Sequence, residues 1–254
     1  MKPVKWLAVS LFSASMLFAG IAQAASAPAE PPAQASVEQA GVTFTAKSIN
    51  SSAPEYEARI TYPVISGLSD KTFESQLNAQ LHQYALESLN SIQQRSREAA
   101  SDAKKSGWEM RPYVLDISYN VHTTGKLLSF TLNHYEYTGG AHGLTHVSYY
   151  NIANLKKGKI LELSDLFQPG YDYRGILSLL IRQQIAEREQ QAGSLGFWYN
   201  GIAANQPFSF QNGELVIHFG QYEIAPYAAG MPSFVIPKHR YSNLLKPEIR
   251  ELLS

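Results

Sequence analysis

The sequence predicts an α+β protein, with antiparallel sheets each covered by an amphipathic helix in two intertwined subdomains. Two observations predict this class. Short segments with alternating apolar and polar residues come in consecutive runs, and two longer segments repeat apolar residues every three or four positions. Runs of strands interrupted by single helices are typical of helices laid on antiparallel sheets. The 254 residues, 44% of them hydrophobic and 17% charged, suffice for a buried core.

The first 24 residues are predicted to be a secretory signal peptide. Lys2 and Lys5 precede an apolar run over residues 6–21, and Ala22-Gln23-Ala24 supplies the small-x-small pattern of a cleavage site. The apolar run is shorter than the ~20 residues that span a bilayer, which disfavours the alternative of an uncleaved membrane anchor.

The first predicted subdomain covers residues 41–154 and follows a disordered linker, residues 25–40, which is rich in Ala, Pro, Ser and Gln. Its elements are strands over 42–49 and 55–65, a helix over about 70–101, and an antiparallel meander of strands over 113–122, 126–137 and 144–154. The helix carries an apolar stripe of Phe73, Leu77, Leu81, Tyr84, Leu86, Leu89 and Ile92. His82, Arg95 and Arg97 are interpreted as part of its solvated face.

The second predicted subdomain covers residues 155–254. A short strand over 160–163 and a helical turn over 164–167 precede a second amphipathic helix over 173–191. Asn212-Gly213, flanked by strands over 208–211 and 214–219, is a strong hairpin signal. A last strand over 233–236 and a short terminal helix opening at Pro247 complete the chain.

Composition and charge exclude several classes of protein. The absence of cysteine excludes disulfide-stapled folds, Cys-ligated metal sites and cysteine enzymes. Lys and Arg number 21, as do Asp and Glu, and removal of residues 1–24 leaves 19 against 21, a net charge of −2. No nucleic-acid partner is expected, because phosphate neutralisation needs a clustered basic excess. Export without disulfides favours a bacterial periplasmic or secreted protein, with no stable membrane anchor after signal cleavage.

The most unusual segment is Tyr135-Glu136-Tyr137-Thr138-Gly139-Gly140-Ala141-His142-Gly143, where three glycines and a histidine interrupt two tyrosine-rich strands. Glycines there permit positive φ or close approach of another backbone. The segment is therefore either a structural turn with a hydrogen-bonded histidine or a ligand-contact loop. A metal site from His134, Glu136, His142 and His146 is not favoured. Residues four apart on a strand lie ~13 Å apart, too far to share a zinc ion.

Motifs of catalysis and cofactor binding are missing. Gly193-Ser194-Leu195-Gly196 lacks the glycine two before the serine that a nucleophile elbow needs. Walker and Rossmann glycine patterns are absent from the sequence. Glu162, Asp165 and Glu223 are candidates for an acid–base pair, but surface, turn or helix-cap roles are favoured. The sequence thus assigns no catalytic residue, no cofactor and no metal.

Several strings together resemble a known family. They are Tyr137-Thr138-Gly139-Gly140-Ala141-His142-Gly143, Tyr149-Tyr150-Asn151, Gly158 to Phe167, and Phe219-Gly220-Gln221-Tyr222-Glu223-Ile224-Ala225-Pro226-Tyr227, closing on Phe234-Val235-Ile236-Pro237. Over residues 41–240 the chain resembles the RsiV-like and PdaC N-terminal-like family of extracytoplasmic domains of unknown function. The resemblance implies a two-part α+β domain without catalytic residues, used for binding or sensing outside the cytoplasmic membrane. In RsiV-like proteins this domain binds lysozyme.

The leading hypothesis is a periplasmic, non-enzymatic binding or sensing protein for a cell-envelope component such as peptidoglycan, or for a protein such as lysozyme. The alternative is an envelope hydrolase that acts on peptidoglycan with carboxylates and His142. The ligand-binding candidates are Tyr135, Tyr137, Gly139, Gly140, His142, Tyr222, Glu223 and Tyr227.

Overall fold

The computed structural model describes residues 41–253; the predicted signal peptide and linker lie outside the described residues. Within this range the chain forms a six-stranded sheet and a three-stranded sheet. In each sheet the strands lie side by side in the order in which they follow one another along the chain. Each sheet is covered by a long helix, and the predicted α+β class is confirmed.

The six-stranded sheet begins with a hairpin. Strands β1 (Thr43–Ala53) and β2 (Tyr56–Ser66) pair antiparallel along their whole length. Both are close to the predicted strands, but β1 continues through the polar run that was expected to form the turn. The reversal takes place over Pro54 and Glu55 alone.

Helix α1 (Lys71–Ser106) follows and lies on β2 and β3. The side chain of Asp70 begins it by accepting a hydrogen bond from the N–H of Phe73 at 3.0 Å. Gly107 ends it in the left-handed conformation, at φ 72°. Because α1 carries the chain back across the sheet, β2 and β3 pair in parallel. The expectation of purely antiparallel sheets is therefore wrong for this one pair.

The predicted antiparallel meander is confirmed by β3 (Tyr113–Thr123), β4 (Leu127–Tyr137) and β5 (Leu144–Ala153). The next strand, β6, has only two residues, Lys159–Ile160, whereas the expected strand covered residues 160–163. It ends early because Glu162 and Asp165 cap a 3-10 turn over Leu163–Leu166 through reciprocal side-chain hydrogen bonds.

The second sheet contains β7 (Phe208–Gln211), β8 (Glu214–His218) and β9 (Ser233–Ile236), all antiparallel. Asn212 and Gly213, at φ 51° and 78°, form the predicted hairpin turn. Helix α2 (Tyr173–Ala192) precedes the sheet. Its Arg188 donates to the carbonyl of Ser233 and lies 4.3 Å from the Phe234 ring centre. Helices α3 (Lys238–Tyr241), which was not predicted, and α4 (Pro247–Leu252) follow.

Two hydrophobic clusters hold these layers. One lies between α1 and the six-stranded sheet, and the other joins α2 and α4 to the three-stranded sheet. A buried polar contact links the sheets: Ser129 donates to Asn151 Oδ1 at 2.8 Å, and Asn151 Nδ2 donates to the Phe208 carbonyl at 2.7 Å. The proposed subdomain boundary after residue 154 stays a prediction.

Candidate functional site

The glycine-histidine loop, residues 138–143, joins β4 to β5 at one end of the six-stranded sheet. Gly139 has φ +85°, a conformation that residues with a Cβ rarely adopt. Gly143 is buried because the Tyr135 ring lies against it, and a Cβ there would come within 2.4 Å of that ring. One glycine thus permits the reversal of the chain, and the other permits close packing of a tyrosine.

His142 joins this loop to a distant part of the chain. Its ring stacks on the ring of Tyr227, with centres 3.9 Å apart. The Tyr227 hydroxyl donates to the carbonyl of Gly143 at 3.4 Å, and His142 Nδ1 donates to the same carbonyl at 3.1 Å. The Tyr222 ring lies 5.7 Å from that of Tyr227. The glycine-histidine loop and the segment that contains Tyr222 and Tyr227 therefore share one surface. We call this surface the aromatic cluster; it consists of Tyr135, His142, Tyr222 and Tyr227.

The turn that presents Tyr222 is fixed by its neighbours. Tyr222 has a positive φ of 63°, which is uncommon for a bulky residue. The Glu223 carboxylate accepts hydrogen bonds from the Gly220 N–H at 2.7 Å and from Gln206 Nε2 at 3.0 Å. Gln221 Oε1 accepts the N–H of Thr145 on β5 at 3.1 Å. These contacts stabilise a conformation that the Tyr222 backbone alone disfavours.

Two of the candidate residues lie apart from the aromatic cluster. The hydroxyl of Tyr137 accepts a hydrogen bond from Arg111 at 3.3 Å. Gly140 is at the exposed tip of the loop, where a Cβ would have only the His142 carbonyl within 4 Å.

An open groove of about 590 Å³ lies beside the cluster and includes Tyr222 and Glu223 among its lining residues. Its other lining residues come from β4, β5 and the segment around the end of β8: His134, Glu136, Leu144, Thr145, His146, Val147, Tyr149, Pro207, His218, Phe219, Gly220, Gln221 and Met231. Sequence reasoning did not select His146, His218, Gln221 or Met231 as site residues. The one sequence signal for these groove residues was the alternation of side chains between the two faces of β5.

His218 lies in the inner wall of the groove. Its ring stacks on Tyr149 with centres 4.4 Å apart, and its Nε2 is 2.8 Å from Ser209 Oγ. Ser209 Oγ also accepts from Gln211, so its hydroxyl hydrogen is available to a neutral imidazole. Burial, together with nearby His122, lowers the pKa of His218 to about 4. Burial and the Glu223 charge raise the pKa of Tyr149 to about 12.

A polar cluster joins α1 to the groove through His134 and Glu136 on β4, which also line the groove. Arg95 donates from both terminal nitrogens to the carboxylate of Glu136, at 2.7 Å for one of them. This bidentate bond lowers the pKa of Glu136. The Tyr84 hydroxyl is 2.6 Å from His134 Nδ1, and burial lowers the pKa of His134. Arg95, which was interpreted as part of the solvated face, therefore forms an ion pair while 41% of its side chain remains exposed.

Replacing Arg95 with Gln is expected to destabilise the fold by about 1 kcal/mol at pH 7, because the pair is partly exposed. Since the folded pKa of Glu136 lies below its ordinary value of 4.5, the stabilisation is present above pH 4.5 and is lost as the pH falls through the folded pKa. Urea denaturation at pH 7 and pH 3 measures both effects. Arg97→Gln, at an exposed position on the same helix, is the control; equal losses at both pH values would contradict the assignment.

The described residues show neither a metal-binding cluster nor a helix that could span a membrane. Within residues 41–253, no group of three or more His, Asp or Glu side chains is arranged to hold a metal ion. His134 and His146 are neighbours across β4 and β5, whereas His142 stacks on Tyr227. No helix among these residues combines the length and the apolar character needed to cross a bilayer.

Comparison with known proteins identifies related folds and sequences. The fold is that of two solved structures of the DUF3298 family. One, from Bacteroides fragilis, is 22% identical with a TM-score of 0.65, covering 83% of this chain and 97% of that one. The other, from Pseudomonas aeruginosa, is 17% identical with a TM-score of 0.56, covering 84% and 97%.

Sequence comparison gives two family matches and two curated relatives. The family described as Deacetylase PdaC matches residues 49–145, and the Protein of unknown function (DUF3298) family matches residues 164–239. The anti-sigma-V factor RsiV of Bacillus subtilis is 27% identical over 258 residues, covering 96% of this chain and 85% of the relative. The peptidoglycan-N-acetylmuramic acid deacetylase PdaC of the same organism is 26% identical over 139 residues, 53% of this chain. This chain spans 30% of the deacetylase.

The class of the protein is thus an α+β fold of the type seen in the DUF3298 structures. These matches confirm the resemblance to RsiV- and PdaC-like domains that was stated from the motifs.

Proposed function

We propose that this chain is a non-enzymatic binding or sensing protein of the bacterial cell envelope, periplasmic or secreted, with the aromatic cluster as its contact surface. Its ligand is an envelope component such as peptidoglycan or a protein such as lysozyme. The observation that carries the proposal is the junction of the glycine-histidine loop with Tyr222 and Tyr227, which presents rings from two distant segments on one surface.

The chemistry of this surface suits binding. Tyr135 and Tyr222 are 36% and 50% exposed, and Tyr227 is half-buried by its contacts with His142 and Gly143. Rings held in fixed positions provide a large contact area with little loss of conformational entropy on binding. The hydrogen bonds of Gln221 and Glu223 keep the Tyr222 turn in place before any ligand arrives.

Homology supports sensing as the broader role. The relative that this chain covers best is an anti-sigma factor, of which it spans 85%. The likeness to the deacetylase covers 30% of that protein, and it gives the hydrolase alternative no better support.

The two side chains that a hydrolase would use already have partners in the fold. Both Glu223 oxygens accept hydrogen bonds, and His142 Nδ1 donates to a backbone carbonyl. In the described part of the chain, these hydrogen bonds go to backbone groups and to the Gln206 amide. If purified protein produced clearing in a peptidoglycan zymogram, and His142→Ala or Glu223→Ala abolished it, the non-enzymatic proposal would be wrong.

The direct test is calorimetric titration with lysozyme and, separately, with soluble peptidoglycan fragments. Binding of one of them is expected, and Tyr227→Ala should weaken it about tenfold, because truncation of a central aromatic contact typically costs more than 1 kcal/mol. Tyr171→Ala is the control, since Tyr171 is 50% exposed and belongs to no part of the cluster. Absence of heat with both ligands, or equal weakening by the two variants, would refute this version.

A further inference from the structure

The outer edge of β5 runs along the groove without a neighbouring strand. Strand β6 pairs only with Ile152 and Ala153, at the far end of β5. In the part of the chain that the structure describes, residues 144–150 pair only with β4. An open strand edge presents backbone donors and acceptors to which another extended segment can bond.

The direction of these backbone groups follows from two hydrogen bonds. The N–H of Thr145 points away from β4 to Gln221, and the carbonyl of Asn151 points the same way to the N–H of Leu161 at 2.7 Å. Because directions alternate along an antiparallel strand, Val147 and Tyr149 also direct their N–H and C=O groups outwards. Among residues 41–253 these four groups have no hydrogen-bond partner. These four groups extend over about 7 Å of the strand, from Val147 to Tyr149.

The opposite wall of the groove is the segment from His218 to Glu223, together with Met231. Leu144 and Met231, 54% and 36% exposed, contribute apolar surface on the two sides. The side-chain oxygen of Gln221 already occupies the position of a partner carbonyl opposite Thr145. The groove therefore has one open strand edge, an opposite wall and apolar surface on both sides, which suits the addition of a strand.

The charged residues that line the groove indicate the charge of the segment that would bind there. No Lys or Arg lines it. Glu136 is neutralised by Arg95, whereas Glu223 accepts hydrogen bonds only from the uncharged Gly220 N–H and Gln206 amide. Among residues 41–253, no Lys or Arg therefore pairs with Glu223, whose carboxylate lines the groove and acts on Tyr149. A cationic side chain on the incoming segment would complement it.

We propose that the edge of β5 binds an extended basic segment of a partner protein as an added strand. The segment bonds to the backbone of Val147 and Tyr149 and places a Lys or Arg near Glu223. This inference rests on the proposed binding function and names its mode and partner chemistry. A second copy of this chain does not fit. Each copy carries its own 218–223 segment beside β5, so the β5 edge of one copy would contact the 218–223 segment of the other before the two edges could pair.

The test uses the peptide acetyl-Lys-Val-Lys-Val-Lys-Val-amide and nitrogen-15-labelled protein lacking residues 1–24. Saturable shifts at residues 144–149 are expected, with amide exchange at Val147 and Tyr149 slowed about tenfold by the new hydrogen bonds. Methylating alternate backbone nitrogens of the peptide, in the register that faces β5, should abolish the effect. The same peptide methylated in the other register should retain it. In both comparisons only the peptide is altered, so a difference in binding does not arise from a change in the fold of the protein.

Charge specificity is tested with the Glu-Val peptide of the same length and with Glu223→Gln. The acidic peptide should not bind, and the variant should bind the Lys-Val peptide about fivefold more weakly, as expected for an exposed ion pair. Equal binding of both peptides, or unchanged exchange at Val147, would overturn the proposal. So would dimerisation of the free protein with protection of Val147, since a second copy would then occupy the edge.

The outcomes separate this inference from the proposed function. If lysozyme or peptidoglycan fragments bind in calorimetry but leave Val147 and Tyr149 exchange unchanged, strand addition is wrong and the binding function stands. If the Lys-Val peptide protects both amides while lysozyme and the fragments give no heat, strand addition is supported and the proposed ligands are wrong.

Discussion

Acidification from pH 7 to pH 4 is expected to lower the free energy of unfolding by about 3 kcal/mol through His218 alone. Burial depresses its folded pKa from 6.5 to about 4. Because the folded value lies below the unfolded one, the stabilisation is complete above pH 6.5 and is lost as the pH falls towards 4. Each pH unit between these values is worth about 1.4 kcal/mol.

Urea denaturation of His218→Gln at pH 7 and pH 4 isolates this contribution, since Gln keeps a hydrogen-bonding group near Ser209 but does not titrate. The variant should show a pH dependence about 3 kcal/mol smaller than that of the wild type. His239→Gln, at an exposed position, is the control and should retain the wild-type dependence. If His218→Gln and the wild type lose equal stability on acidification, His218 is not the responsible group.

Replacing Asn151 with Ala is expected to destabilise the protein by about 2–4 kcal/mol. Asn151 is 2% exposed and Ser129 is fully buried, so the substitution removes the acceptor of the Ser129 hydroxyl hydrogen and the side-chain donor to the Phe208 carbonyl in the interior. Ser129 also accepts the N–H of Phe210 at 3.0 Å, which makes these residues the polar link between the two sheets.

Chemical denaturation of Asn151→Ala beside Asn90→Ala measures this cost. Asn90 is exposed on α1, and its replacement should change stability by no more than about 0.5 kcal/mol. A similarly small effect at Asn151 would mean that water replaces the lost amide and that the link between the sheets contributes little.

Most of the fold was predictable because its signals are local. The Asp70 cap, the glycine at the end of α1 and the Asn212-Gly213 turn each act within a few residues. The parallel pairing of β2 with β3 was missed because it is determined by where α1 packs. Strand β6 was overestimated because apolar Leu161 and Leu163 are buried without continuing the ladder.

The candidate site was less predictable, since its contacts join distant positions. The stacking of His142 on Tyr227 and the bond from Tyr227 to Gly143, 84 positions away, depend on the packing of the second sheet. Arg95 and Glu136 are 41 positions apart, and the pattern of α1 alone indicated only a polar face. The motif strings include the segments that meet at the aromatic cluster, but the alternating backbone directions of β5 follow only from its register with β4.

The helix crossover described for α1 also affects how the chain reaches its native state. The β1–β2 hairpin and the β3–β4–β5 meander contain only neighbouring pairings, whereas the β2–β3 pairing must wait until a 36-residue helix has closed the loop between them. Pairings of high sequence separation are formed slowly, because the entropy of loop closure is lost before the contact is gained. We therefore expect substitutions at Leu77, Leu81 or Ile92, on the buried face of α1, to change the rate of refolding as well as equilibrium stability.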